Sequence, residues 1–150
     1  MRRLLPILIL LTWALWLGGL ITLFMAVNSL FDTFDDRTTA GLAATGIFRR
    51  FESFQLILAA VLLASLIGWR LVKCSKFKRF ALILVMLATI GAVTSTTYIS
   101  PRIDALRIEG RTKEPAFRKL HGLAMTLYLG QTLLLVVAGV MLPAAMRQPE

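Results

Sequence analysis

The chain has 150 residues, 57% of them hydrophobic and 17% charged, and its 17 Lys and Arg against 8 Asp and Glu leave a formal net charge of +9. Water-soluble domains carry about 45–50% apolar residues, so a mean hydropathy of +0.75 and so few charges exclude an ordinary soluble globule. Long apolar runs exclude a disordered chain, and basic residues clustered beside those runs point to lipid headgroups before nucleic acid.

A hydrocarbon core of about 30 Å needs roughly 20 apolar helical residues. Residues 4–31 supply 28 uncharged positions, 53–69 supply 17, 80–101 supply 22 and 120–146 supply 27. An open strand cannot satisfy its backbone in lipid, so all four stretches read as helices. The expected fold class is all-α, an integral membrane antiparallel four-helix bundle forming one domain over 1–150. Its spans fall near 5–27, 53–72, 80–99 and 120–142, the second reaching Val72 if Arg70 snorkels. The first run is too long and bulky for the ~7–15-residue apolar stretch of a signal peptide, which makes it an uncleaved span.

Between the first two spans, Ala40, Ala44, Ile47, Phe48 and Phe51 recur at helical spacing behind Asp36 or Thr38 as an N-cap. They predict a short amphipathic interfacial helix, either separate or running on into span two. The next connection is short and purely basic, so Arg70, Lys73, Lys76, Lys78 and Arg79 are expected to contact anionic lipid headgroups, at about 1 kcal/mol each. Ser100 and Pro101 read as an N-cap and N1 pair opening a short helix that Gly110 ends, and Pro115 starts the last helix well before the membrane.

Orientation follows Lys and Arg. The termini and the 70–79 loop together carry 8 and the opposite side carries 9, so the density of the 70–79 loop decides. It favours both termini in the cytoplasm, in a bacterial inner membrane.

Helix association in lipid depends on close backbone approach. Small residues recur at i, i+4 in every span: Ala14, Gly18, Thr22 and Ala26; Ala60, Ala64 and Gly68; Ala88, Ala92 and Thr96; Gly122, Thr126 and Gly130. Such faces serve packing within the bundle, or contact with a second copy or another membrane protein. Trp69, beside Arg70, reads as an interfacial anchor, whereas Trp13 and Trp16 lie deeper and pack between helices.

The segments WALWLGGLITLF, AGLAATGIF, YISPRIDALR and FRKLHGLAMTLYLGQ occur in this order over nearly the whole chain. Together they resemble the domain of unknown function 4149 family, the four-span membrane proteins related to transmembrane protein 205. The Trp-Leu-Gly-Gly pattern more remotely resembles copper-resistance D-like membrane proteins, some of whose relatives are haem-dependent oxidases. Asn28-Ser29-Leu30-Phe31 stands where the family pattern has a proline. The resemblance implies architecture and little chemistry.

His121, the only histidine, and Met125 one turn later present a nitrogen and a thioether suited to copper(I), or a lone axial haem ligand. Two ligands do not make a site, and an interfacial histidine bonded to a neighbouring helix explains it as well. The single cysteine, Cys74, excludes an internal disulfide or CxxC site. No catalytic triad, carboxylate pair or phosphate loop is visible.

Polar residues in lipid are functional candidates. Glu52, Gln55, Thr96, Tyr98, His121 and Gln131 fall toward one membrane side in an antiparallel bundle, which allows a polar vestibule there. The plain alternative is that hydroxyls bond back to i−4 carbonyls and Glu52 pairs with Arg49 or Arg50. The expectation is a non-enzymatic accessory or interaction component without a cofactor, bound to lipid and not to nucleic acid. The alternatives are a haem- or copper-binding redox or transport protein using His121, and a small-solute carrier.

Overall fold

The computed structural model describes residues 4–72 and 76–146. Lys73 and Cys74, and the two chain ends used to assign orientation, lie outside the described residues. Every regular element described is helical: α1 (Leu4–Thr33), α2 (Arg37–Val72), α3 (Lys76–Thr94), a π-turn (Ser95–Ile99), α4 (Ser100–Ile108) and α5 (Pro115–Met146). Four helical bodies are long and apolar enough to cross a membrane, the third running unbroken over Lys76–Ile108. The protein is a multi-pass membrane protein with an all-α four-helix bundle.

Residues 38–48 are not a separate interfacial helix. They are the start of α2, whose 36 residues make a rod of about 54 Å at 1.5 Å each, nearly twice the hydrocarbon thickness. Asp36 caps it. Its two carboxylate oxygens accept from the Thr38 and Thr39 amides at 3.0 Å, and one also accepts from the Thr39 hydroxyl at 2.7 Å. The Thr39 hydroxyl above all, then the two amides, holds the Asp36 carboxyl down at about 2.

Around the bundle, α1 packs mainly on α2, α2 on α3, and α3 on α5, while the α5–α1 seam is looser. The core joins Ile9, Trp16 and Leu20 of α1 to Leu62 and Leu66 of α2, Val85 and Ala88 of α3, and Leu135 and Leu142 of α5. Large apolar side chains also cover the outward faces, with Leu71 83% and Val140 75% exposed. In water that distribution would be unstable; in lipid it is the solvated surface.

Of the four small-residue faces only that of α3 lies in a seam, with Ala88 and Ala92 fully buried. Ala14, Gly18 and Thr22 of α1, Ala60 and Ala64 of α2, and Gly122 and Thr126 of α5 point outward. Spacing reveals a stripe but not its direction, and the bulky rows Ile9-Trp16-Leu20-Leu23 and Leu135-Ala138-Leu142 took the inner faces instead. The close approach on α5 occurs at Gly139, where a Cβ would overlap the Trp13 ring. Trp13 there donates its Nε1–H to the Leu135 carbonyl at 2.7 Å, pinning α1 to α5.

Trp69 is buried, with the Lys78 ammonium 4.3 Å from its ring centre. The interfacial anchor expected at Trp69 is thus packed inside the bundle beside a basic residue of the 70–79 connection. Lys78 is 8% exposed because it folds inward onto the indole, whereas Lys76 and Arg79 remain exposed and Arg70 is half-buried.

Gly139→Ala is expected to lower stability in detergent micelles by about 1–3 kcal/mol, as overpacking does. Gly130→Ala, which meets nothing within 4 Å, is expected to stay within about 0.5 kcal/mol. Thermal unfolding followed by circular dichroism checks both. The α2 cap is complete above the ordinary aspartate value of 3.8 and is lost as pH falls through about 2. Amide chemical shifts of Thr38 and Thr39 should follow that transition, and Asp36→Ala should abolish it.

Candidate functional site

Glu52 and Gln55 sit one turn apart on the inner face of α2, 1% and 0% exposed. The Ser100 hydroxyl donates to Glu52 Oε1, and the Tyr128 hydroxyl donates to the same oxygen at 3.2 Å. Glu52 thus gathers donors from α4 and α5. Among the described residues nothing donates to its other oxygen, Oε2.

Ser100 reaches Glu52 because of the π-turn. Pro101 has no N–H, and in a regular helix its ring would press on the carbonyl four residues back. The wider turn over Ser95–Ile99 relieves that clash and changes the helix phase. Ser100 is consequently no N-cap: its φ of −58° and ψ of −44° are helical. The same change keeps Ser95, Ile99 and Ile103 buried and turns Tyr98 out to 64% exposure.

Outward of Glu52 lies a cavity of about 80 Å³, whose wall includes Phe48, Ser100, His121, Met125 and Tyr128. Arg49, Asp104 and Arg107 form its rim. Arg49 does not pair with Glu52. Its Nε donates to Asp104 Oδ2 at 2.7 Å, and the pair is half open to solvent. Arg107 donates to the Gly41 carbonyl at 2.8 Å and lies 5.7 Å over the Phe117 ring, on which His121 stacks at 6.0 Å. Among the described residues no carboxylate pairs with Arg107.

Inward of Glu52 the polar groups continue. Gln55 and Ser95 lie beside the Tyr128 hydroxyl, and Gln131, one turn beyond Tyr128, packs against Gly91, where a Cβ would sit 3.4 Å from its Cγ. Gln131 is 1% exposed. The side-chain polar atoms of Gln55, Ser95, Thr96 and Gln131 have no partner among the described residues. Leaving a buried polar group unpaired costs about 1–3 kcal/mol, so this column is suited to water or to a guest's polar atoms. From His121 to Gln131 it spans about 15 Å of α5, and one turn on, fully buried Leu135 ends it.

Of the six candidate vestibule residues, Glu52 and His121 share the cavity wall, and Gln55 and Gln131 extend it inward. Thr96 is half-buried with its hydroxyl enclosed, and Tyr98 is outside altogether. Tyr128 and Ser100, not singled out from sequence, occupy the centre. Tyr128 lies seven residues after His121 and three before Gln131, a helical spacing that could have found it, but nothing local marks Ser100 as a partner of Glu52. The plain alternative holds for Thr97 and Thr132, which bond back to Val93 and Tyr128.

His121 and Met125 do line the cavity. No group of three His, Cys, Asp or Glu that could hold a metal ion lies among the described residues. Ser100→Ala and Tyr128→Phe each remove a donor from the buried carboxylate. Each is expected to cost about 1–3 kcal/mol, measured by unfolding in detergent, while Tyr98→Phe leaves stability unchanged.

No curated protein and no solved structure matches the chain. The family described as Domain of unknown function (DUF4149) matches residues 11–112, which carry Glu52, Gln55, Ser95 and Ser100 but stop short of His121 and Tyr128. On that match, the chain belongs to the DUF4149 family.

Proposed function

We propose that this protein is a non-enzymatic accessory component of its membrane, whose working part is the cavity at Glu52. The cavity binds a small hydrogen-bond-donating group, a hydroxyl or a primary ammonium, at Glu52 Oε2. One observation carries this reading: a carboxylate 1% exposed, with one oxygen saturated by Ser100 and Tyr128 and the other without a donor, facing a cavity. A buried acceptor of that kind discriminates strongly for a guest able to donate to it. The column's polar groups give way to fully buried, apolar Leu135 one turn beyond Gln131, which favours binding over passage through the bundle.

The dense positive charge of the 70–79 loop supports an inner-membrane location with both termini cytoplasmic. In that orientation the cavity opens away from the cytoplasm. The outward small-residue faces of α1 and α5 leave room for a second copy or another membrane protein.

A lipid-soluble carbodiimide, which reacts with carboxyls in apolar surroundings, tests the reading. Intact-mass analysis of the protein in detergent should show one adduct at Glu52, absent in Glu52→Gln, and methylammonium should slow its formation. Labelling unaffected by methylammonium would overturn the proposal.

A further inference from the structure

The looser seam between α1 and α5 is open over only part of its length. At one end Trp13, seated on Gly139 and bonded to the Leu135 carbonyl, clamps the two helices together. Toward the cavity end the seam widens into a groove of about 550 Å³ walled by Leu20, Leu23, Phe24, Leu129 and Thr132. Phe24 and Leu129 are 59% and 62% exposed on membrane-spanning helices, so the groove opens sideways into the bilayer. It adjoins the polar cavity, with Phe48, Met125 and Tyr128 lining both.

Three features therefore adjoin one another: an apolar groove, an acceptor without a donor at Glu52 Oε2, and a rim where Arg49 and Asp104 neutralise each other and Arg107 has no carboxylate among the described residues. An acyl chain, a hydroxyl and a phosphate match these three in turn. The acceptor is the selective one. In a diacyl lipid both glycerol oxygens there are esterified and offer only acceptors, which repel a carboxylate oxygen. A single-chain lipid keeps a free glycerol hydroxyl that can donate.

We infer that the groove and cavity together form one site for a lysophospholipid, entering sideways between α1 and α5. Its acyl chain lies along the groove, its glycerol hydroxyl donates to Glu52 Oε2, and its phosphate meets Arg107. This inference rests on the donor-binding reading of Glu52 and names the guest.

Native mass spectrometry of the full chain in detergent, titrated with palmitoyl lysophosphatidylcholine, tests it. One adduct per chain is expected, weakened about tenfold or more by Arg107→Gln, as for loss of a hydrogen bond to a charged group. Leu129→Trp fills the groove from its lipid-facing side and should abolish the adduct, while methylammonium still protects Glu52 from carbodiimide. Equal affinity for dipalmitoyl phosphatidylcholine, or unchanged lysolipid binding in Leu129→Trp, would sink the inference. Lost methylammonium protection in the unmodified protein would strike the cavity reading itself, so the two failures are distinguishable.

Discussion

A carboxylate at the edge of the hydrocarbon must be given donors or it will not stay there. Glu52 is held by hydroxyls from two other helical bodies, Ser100 and Tyr128, and no arginine takes their place. A guanidinium would close the site as an ion pair, while hydroxyls hold the carboxyl group without consuming both oxygens. Arg49, one turn away on the same helix, is drawn off by Asp104. The openness of Glu52 thus depends on where its nearest cation has gone.

That arrangement also ties the bundle together at its cavity end. The Glu52–Ser100 link between α2 and α4 depends on the π-turn before Pro101, which turns Ser100 inward. Proline in a helix interior is ordinarily a loss of stability. Here the same defect puts a hydroxyl on the face where the carboxylate needs one, at a π-turn of the kind often found at functional sites. At the opposite end α1 and α5 are held by Trp13 on Gly139. A bundle clamped at one end and bridged by polar groups at the other leaves the intervening α1–α5 seam as the place where lipid can enter.

Much of the architecture was legible from residue order. Four charge-free stretches, the Asp36 cap, the Gly110 stop with its φ of +71° and the Pro115 start all act through local chemistry, and all appear where that chemistry puts them. The candidate site was only half legible. Glu52, Gln55, His121 and Gln131 stood out because polar groups in lipid are costly wherever they point. Tyr98 and the outward small-residue faces misled for a shared reason: spacing identifies a helical face, but which face turns inward depends on the neighbours that pack against it.

Sequence alone determined that this chain crosses a membrane and does so as helices, because backbone desolvation and run length leave no other choice. It also placed two glutamines in apolar runs and a carboxylate, Glu52, at the edge of one. Only the tertiary structure decided that Ser100 and Tyr128 would answer Glu52, that Asp104 would take Arg49, and that Lys78 would turn inward to Trp69. The first two depend on helix phase after a π-turn and on contacts between residues 48 to 76 positions apart, and the last on how α2 and α3 pack. No local pattern encodes such distances; they exist only once the helices are packed.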